Sequence, residues 1–176
     1  MLVQRRALIG GGAFALASLA LGAGATAATQ PRRLALLNLH TGERLSATYW
    51  ESGTYVDGAL DAFSHLLRDH RTSEVHAIAP GVFDILSALQ SAVDSSATFD
   101  VISGYRSPQT NARLHEASSG VAAHSLHMEG KAIDIRLPGT QLAGLRDAAI
   151  RLQRGGVGFY PKDDFVHVDV GRVRRW

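Results

Sequence analysis

Two histidines and one aspartate have the residue types and spacing of a metal centre. Asp134 follows His127 by seven residues and lies within the alternating segment 132–137. His167 lies in a second apolar segment, 165–170. Two imidazoles and one carboxylate leave a fourth tetrahedral position for water, as in a catalytic zinc site. The same spacing is more often typical of a solvated loop histidine and an ion-paired aspartate, so by itself it only identifies candidates.

The other histidines and the lack of cysteine narrow the choice of ligands. The chain has no cysteine, so a thiolate zinc site and a cysteine nucleophile are excluded. His124 stands three residues before His127 and would be a reserve ligand if that loop formed a helical turn. Gly120 and its small neighbours disfavour such a turn. The remaining histidines have no comparable neighbours and are expected to be at the surface or half-buried: His40, His65, His70, His76 and His115.

Asp134 must be presented by a strand that otherwise faces a hydrophobic core. Ile133 and Ile135 share one face of the predicted strand 132–137, and Asp134 projects from the other. A carboxylate in that position needs a partner or solvent, because burying an unpaired charge is costly. A metal ion is one such partner, and His167 in the strand 165–170 is placed in the same way between two valines.

The rest of the chain predicts a β-hairpin at the start of the domain, then helices, and then strands interrupted by helices. This order is typical of an α+β fold, here an antiparallel sheet with flanking helices. The predicted strands are 34–40, 44–49, 99–102, 132–137, 157–160 and 165–170. The predicted helices are 55–71, 80–93, 108–116 and 141–154, the third with Ser107 as its N-cap and Pro108 as its first residue.

The composition is that of one globular domain without a nucleic-acid partner. The chain has 176 residues, of which 45% are hydrophobic and 19% charged, enough to bury a single core. The formal charge is +2, but residues 1–28 contain Arg5, Arg6 and no acid, so 16 basic residues remain against 16 acidic ones. This balance removes the electrostatic footprint of nucleic-acid binding, despite the basic ending 172–175.

The N-terminus has the layout of a targeting segment. Arg5 and Arg6 precede a run of small apolar residues that ends in Ala-Thr-Ala-Ala at 25–28. This pattern predicts a twin-arginine-type signal peptide over 1–28, which implies export to the periplasm. A retained membrane anchor is the alternative, but the run is only weakly hydrophobic. We therefore expect a linker at 29–33, a single domain at 34–176, and no stable membrane association after cleavage.

Three motifs in order make the sequence resemble a known family. SLHMEGKAID at 125–134 matches the S-x-H-x-x-G-x-A-x-D signature of zinc D-alanyl-D-alanine peptidases, whose superfamily includes lysostaphin-type endopeptidases and the hedgehog signalling domain. SGYRSP at 103–108, GGVGFY at 155–160 and FVHVD at 165–169 resemble a narrower branch, the exported bacterial murein endopeptidases, which often carry twin-arginine signals. The resemblance covers about residues 33–176 and implies a hedgehog/DD-peptidase-like fold.

The resemblance also implies roles for individual residues. His127, Asp134 and His167 would bind one zinc ion per chain. Arg106 would lie near the substrate carbonyl or carboxylate, where its guanidinium can stabilise negative charge. A structural salt bridge is the alternative for Arg106.

Two further residues of these motifs are expected at the substrate. Ser125 would hydrogen-bond the substrate or orient the loop that carries His127, and a loop-capping role is the alternative. Tyr105, next to Arg106 in the SGYRSP motif, is the other candidate for substrate binding.

The general base is where this chain departs from the wider pattern. Many members of the superfamily place an acid or a histidine two or three residues before the last ligand histidine. Phe165 fills the nearer of these positions, and Asp164 fills the further one, in a segment where aspartate is common for turn formation alone. Asp169, two residues after His167, is the rival. We predict Asp164 as the base and Asp169 as the partner of a ligand ring, with the reverse left open.

The expected activity is hydrolysis of peptide bonds in peptidoglycan, with stem peptides as the partner. The resemblance favours a zinc endopeptidase that cuts crosslinks during cell-wall remodelling. The alternatives are a D,D- or L,D-carboxypeptidase that trims stem peptides, and a non-catalytic, zinc-containing wall-binding domain, with a hedgehog-like module as a weaker third. No adaptor protein is indicated by any motif.

Overall fold

The computed structural model describes residues 30–117 and 122–176. These residues form eight strands, four α-helices and a short 3₁₀ turn, which confirms the predicted α+β class. The strands are β1 (Arg32–Asn38), β2 (Arg44–Glu51), β3 (Thr54–Tyr55), β4 (Phe99–Ser103), β5 (Ala132–Arg136), β6 (Gly156–Tyr160), β7 (Phe165–Asp169) and β8 (Arg174–Arg175). The helices are α1 (Asp57–Leu66), α2 (Pro80–Ala92), α3 (Pro108–Ala117) and α4 (Leu142–Leu152), and the 3₁₀ turn is Leu126–Glu129.

All the strands belong to one open sheet in the order β3-β2-β1-β4-β5-β7-β6-β8. Most neighbours are antiparallel, as predicted, but β1–β4 and β6–β8 are parallel. The chain reaches β4 from β1 through β2, α1 and α2, and a long connection of this kind is what a parallel neighbour requires. The sheet is therefore mixed, and its antiparallel centre is β4-β5-β7-β6.

Helices cover one face of this sheet and leave the other for polar side chains. α1 packs on β2, α2 on β1 and β7, and α4 on β6 and β7. The core side chains of the central strands are fully buried, among them Ile133, Ile135, Val166 and Val168. Because successive residues of a strand point to opposite faces, Asp134 and His167 lie on the face away from the helices.

One predicted helix is shorter in the structure. The apolar spacing predicts a helix over 55–71, but α1 ends at Leu66. The chain then turns to support the segment 103–107, and the N–H of Tyr105 donates to the carbonyl of Leu67 at 2.8 Å. A competing long-range contact therefore ends the helix before its sequence pattern does.

The N-terminal predictions fall mostly beyond the described residues. The predicted signal peptide, 1–28, lies outside them. β1 begins at Arg32, so it already includes the end of the predicted linker 29–33. Within the described residues, no helix combines the length and the apolar character needed to cross a bilayer.

Candidate metal centre

Strand pairing and one turn bring the three candidate ligands together. Asp134 of β5 and His167 of β7 are direct cross-strand partners, which places their side chains side by side on one face. His127 comes from the 3₁₀ turn, which contacts β5. The ligand atoms of the three side chains all lie within 4.8 Å of one another, and all three residues are buried.

The distances between these atoms fit a tetrahedral ion. Nε2 of His127 lies 3.2 Å from Nδ1 of His167 and 3.3 Å from Oδ1 of Asp134. Nδ1 of His167 lies 2.8 Å from the same carboxylate oxygen. A tetrahedral ion bound at about 2.1 Å separates its ligand atoms by about 3.4 Å. The three atoms could therefore hold a metal with only small shifts.

The remaining ring nitrogens are fixed by acceptors. Nδ1 of His127 lies 2.7 Å from the carbonyl of Gly104, and Nε2 of His167 lies 3.1 Å from Oδ2 of Asp169. A carbonyl and an ionised carboxylate only accept hydrogen bonds, so these nitrogens carry the hydrogens. The second nitrogen of each ring faces Asp134, and outer partners orient metal-binding histidines in this way.

The charges and hydrogen bonds around Asp134 and His167 favour a positive charge between them. Burial opposes ionisation of Asp134, but the two imidazoles outweigh it and hold the pKa of that carboxyl well below its usual range. Burial also opposes charge on His167, yet its bonds to Asp134 and Asp169 raise the pKa of its ring to about 8. The group is thus suited to a cation, whether a proton or a metal ion.

Asp169 is buried behind His167 and accepts hydrogen bonds from several groups. Its side chain has no solvent exposure, and Arg174 donates to both of its oxygens, at 3.1 and 2.7 Å. The N–H groups of Gly156 and Gly171 donate to Oδ1 at 3.0 and 2.8 Å. Burial raises the pKa of Asp169, but these donors and His167 together hold it well below its usual range. With its oxygens occupied, this carboxylate orients the His167 ring.

A cleft of about 340 Å³ opens over the three candidate ligands. Arg106 lines it, with a side chain only 12% exposed. Nη2 of Arg106 lies 4.0 Å from Oδ2 of Asp134, and Nη1 donates to Asn111 at 3.3 Å. Its Nε–H is buried and has no hydrogen-bond partner among the described residues. Burial lowers the pKa of Arg106, although Asp134 opposes this effect. Arg106 thus places a nearly buried cation at the wall of the cleft, while its inaccessible Nε–H stays unpaired inside the protein.

The segment that carries Arg106 is tied to the His127 turn and to a second buried carboxylate. The N–H of Arg106 donates to the carbonyl of His127 at 3.2 Å. Oδ2 of Asp69 accepts from the N–H and the hydroxyl of Ser107, at 2.9 and 2.7 Å. Gly104 allows this close packing, since a Cβ there would lie 2.5 Å from the carbonyl oxygen of Leu67.

The two other residues expected at the substrate differ in position. Ser125 lines the cleft, and its hydroxyl oxygen accepts the N–H of His127 at 3.4 Å, as a cap of the 3₁₀ turn would. Tyr105 does not line the cleft: it is 5% exposed, and its hydroxyl donates to Glu74 at 2.7 Å. Its ring stacks on His76, so it supports the segment from behind.

Neither aspartate considered for the general base lines the cleft. Asp164 has a positive φ of 56°, and its exposed carboxylate binds Nη1 of Arg136 at 2.6 Å. Asp169 is enclosed behind His167. Among the described residues, Asp134 supplies the only side-chain carboxylate of the cleft, and the undescribed residues contain no aspartate or glutamate. His124 is exposed and does line the cleft, but it is not part of the three-residue group.

Several residues around the site carried no usable signal in the sequence. Trp176 lines the cleft, and Arg174 lines it while holding Asp169. Tyr160 also lines it, and the sequence marked only the motif 155–160 that contains it, without a role for the phenol. The basic ending 172–175 looks like a solvated tail in the sequence. Asp69, in a run of charged residues, looks like a surface aspartate. Only the fold shows that these residues contact the site.

Comparisons with known proteins identify a family and several relatives. The family model described as Peptidoglycan L,D-endopeptidase MepK matches residues 26–176. The Peptidoglycan L,D-endopeptidase MepK of Escherichia coli strain K12 is 42% identical over 176 residues, covering 98% of this chain and 97% of that protein. A protein of Haemophilus influenzae named Probable peptidoglycan L,D-endopeptidase MepK is 41% identical over 148 residues, covering 84% of this chain and 80% of that protein.

Proposed function

This chain belongs to the peptidoglycan L,D-endopeptidase MepK family of peptidases, and from that premise we propose that it is a zinc-dependent endopeptidase of peptidoglycan crosslinks. The bond cut would join an L-configured centre to a D-configured one, as the relatives' names state. The observation that carries the proposal is the buried group of His127, Asp134 and His167, whose ligand atoms converge within 4.8 Å.

Zinc is the metal that this group would best hold. Two imidazoles and a carboxylate match the ligand set of catalytic zinc sites, which keep a fourth position open. When bound, zinc would polarise the scissile carbonyl and lower the pKa of a water molecule toward about 7. The carbonyl of Gly104 and the carboxylate of Asp169 keep both rings in the orientation that this requires.

Arg106 would stabilise the negative charge that develops on the substrate. Its side chain lines the cleft, with Nη2 4.0 Å from Oδ2 of Asp134 and Nη1 held by Asn111. A fixed donor in a site shielded from water stabilises developing charge strongly, because it needs no reorganisation during the reaction. Ser125, at the rim of the same turn, would contact the bound peptide while capping the turn.

We assign proton transfer to His124. An imidazole accepts and donates protons near neutral pH, and His124 lines the cleft outside the ligand group. Replacing His124 by Gln is expected to lower kcat by about 100-fold. Asp164→Asn is the matched test of the sequence-based candidate and is expected to leave kcat within about threefold, because that carboxylate binds Arg136. The reverse result would return the role to Asp164.

The site of action would be the periplasm, where peptidoglycan lies. The paired arginines and the apolar run at 1–28 support export by the twin-arginine route. Replacing Arg5 and Arg6 by Lys is expected to leave the protein in the cytoplasm, and unchanged export of this variant would exclude that route.

Digestion of purified sacculi tests the activity directly. The protein lacking the predicted signal peptide should bind about one zinc per chain and release new peptide ends at L,D bonds in crosslinked material. A chelator should stop the reaction, and added zinc should restore it. No bound metal and no cleavage would refute the proposal. Shortened stem peptides with intact crosslinks would identify a carboxypeptidase instead.

A further inference from the structure

Tyr160 presents a phenol to the cleft from a rigid position. It ends β6 and lines the cleft together with Arg106 and the three candidate ligands. Phe165 is its cross-strand partner in β7, and the two rings stack with centroids 4.5 Å apart and planes 17° from parallel. The ring is therefore held by the same strand pair that carries His167.

The Tyr160 oxygen accepts one hydrogen bond, and its own hydrogen is left for another partner. Nε1 of Trp176 lies 2.8 Å from the Tyr160 oxygen. An indole nitrogen can only donate, so the phenol oxygen is the acceptor in this bond. Among residues 30–117 and 122–176, the phenol's own hydrogen makes no hydrogen bond, and the indole nitrogen is the one polar partner of the hydroxyl. The hydroxyl consequently keeps a donor for a group that enters the cleft.

Trp176 is itself fixed in the orientation that this bond needs. Its main-chain N–H donates to Val157 at 3.2 Å, and its carbonyl accepts from Phe159 at 3.1 Å. Its ring lies 5.2 Å from the His167 ring, and the Arg174 guanidinium lies 4.8 Å above it.

Gly158 makes this packing possible. A Cβ at Gly158 would come within 2.8 Å of the rings of both Tyr160 and Trp176. The strand therefore needs glycine at 158 for the indole of Trp176 to lie beside the phenol of Tyr160.

We propose that Tyr160 is a catalytic residue that donates a hydrogen bond to the scissile carbonyl oxygen as that oxygen gains negative charge, and that Trp176 is its positioning residue. This inference rests on the proposed peptidase function. Arg106 contributes charge to the same oxygen, and Tyr160 adds a neutral, directional donor. Trp176 fixes the phenol oxygen as an acceptor, and the hydroxyl hydrogen makes no bond to a described residue, so it can be directed at the substrate.

Tyr160→Phe removes only the hydroxyl and leaves the stack on Phe165. In the zinc-loaded protein, kcat on crosslinked peptidoglycan fragments is expected to fall by about 100-fold while KM changes by less than about threefold. A phosphinate pseudopeptide, which carries a tetrahedral anion at the position of the scissile bond, should lose affinity by a similar factor in calorimetry, whereas zinc content should not change.

Trp176→Phe tests the positioning role through the same hydroxyl. It keeps an aromatic ring over His167 but removes the indole donor, and kcat is expected to fall by about 10-fold. In the Tyr160→Phe background the same change should cost nothing further, because the group that it positions is gone. An equal loss in both backgrounds would show a purely structural role and overturn the assignment of Trp176.

Tyr55→Phe is the matched control for loss of a phenol hydroxyl. Tyr55 donates to Asp84 at 2.7 Å and does not line the cleft, so its replacement should leave kcat unchanged. The role of Tyr160 is overturned if Tyr160→Phe keeps kcat within about threefold, or if it loses zinc together with activity. Wild-type protein that cleaves no peptidoglycan would refute the proposed function, whereas active wild type with an equally active Tyr160→Phe refutes only this inference.

Discussion

Two buried carboxylates support the candidate metal centre from different sides, and they do so by different means. Asp69 accepts hydrogen bonds from Ser107 and from the N–H of Arg71, so all its partners are neutral groups near the segment of Arg106. Asp169 contacts the His167 ring and the charged guanidinium of Arg174. One carboxylate therefore fixes a backbone, and the other fixes a ligand and its charge.

Burial alone does not distinguish a carboxylate that holds the backbone from one that holds a ligand side chain. Both side chains are nearly inaccessible, with exposures of 2% and 0%. Loss of Asp69 should disturb the substrate side, where Gly104 and Arg106 lie. Loss of Asp169 should disturb metal binding, because an acceptor behind a ligand histidine raises its basicity and fixes its ring.

The largest effect on activity should come from replacing Asp134, the candidate ligand that lies between the regions held by Asp69 and Asp169. Asp134→Ala removes the oxygen shared by the two candidate histidines. We expect loss of bound zinc and at least about a 1,000-fold drop in activity, because metal chemistry worth several kcal/mol would be lost. Metal analysis and sacculus digestion would measure this.

Asp100→Ala is the matched control, since Asp100 lies in the neighbouring strand β4 and binds Arg136 outside the cleft. Full zinc content in the Asp134→Ala variant would show that the two supports do not converge on a metal.

Asp169→Asn should produce the next largest effect. Asparagine removes the negative charge behind His167, and its N–H₂ group must face N–H donors, which surround both oxygens of Asp169. Zinc affinity should therefore fall by about 10- to 100-fold. Competition with a fluorescent zinc chelator would measure this loss. Asp69→Asn, tested in parallel, should leave zinc affinity within about threefold, since its partners do not include a ligand. Equal losses in the two variants would break the distinction drawn between them.

Asp69→Asn should instead affect catalysis and stability. Its N–H₂ group must face either the N–H of Arg71 or the two donors of Ser107, so a buried hydrogen bond is lost in either orientation. This should lower the free energy of unfolding by about 2 kcal/mol. Displacement of Arg106 should lower kcat/KM by about 10-fold at unchanged zinc content. Urea unfolding and kinetics would measure the two effects.

Asp61→Asn on the exposed side of α1 is the control and should change neither quantity. A variant at Asp69 that loses zinc in proportion to activity would contradict the assignment.

The smallest effect concerns pH. Burial raises the pKa of Asp69, but bonds from hydroxyl and main-chain N–H groups outweigh it and hold that pKa well below its usual range. A carboxyl with a lowered folded-state pKa stabilises the fold above the unfolded value of about 3.9 and loses that contribution as the pH falls further. The stability gap between wild type and Asp69→Asn should thus be constant near neutral pH and narrow below about pH 4. Unfolding of chelated protein at several pH values would measure it, and a gap that widens on acidification would contradict the sign.

Periodicity in the sequence was sufficient for most of the fold and for the elements that carry the ligands. The alternation in 132–137 and the valines around His167 predicted two strands with polar residues on one face, and β5 and β7 have that arrangement. The motif resemblance is confirmed by the family match. Local patterns succeed here because each strand's inward residues must be apolar whatever its neighbours are.

Sequence patterns failed where a residue's role depends on a distant partner. Asp69 and Ser107 are 38 positions apart, and nothing near Asp69 marks it as buried. The predicted helix 55–71 ran too far for the same reason. Asp164 fits a family position and binds Arg136 from a turn with a positive φ, and its role as the general base stays a prediction. Long-range contacts and turn geometry determine the surroundings of these residues, and the local spacing of residue types does not predict either.

The pairing of Asp134 with His167 across β5 and β7 would make the candidate metal centre a check on correct folding. Side chains alternate along a strand, so a slip of one residue would set Val166 or Val168 opposite Asp134 and turn His167 into the helix-packed core. A misaligned molecule would keep its strands, and its circular dichroism would change little, yet it could not assemble the three ligands. Zinc content per chain would therefore count the molecules whose central strands are in register, which is a sharper measure of refolding yield than secondary structure.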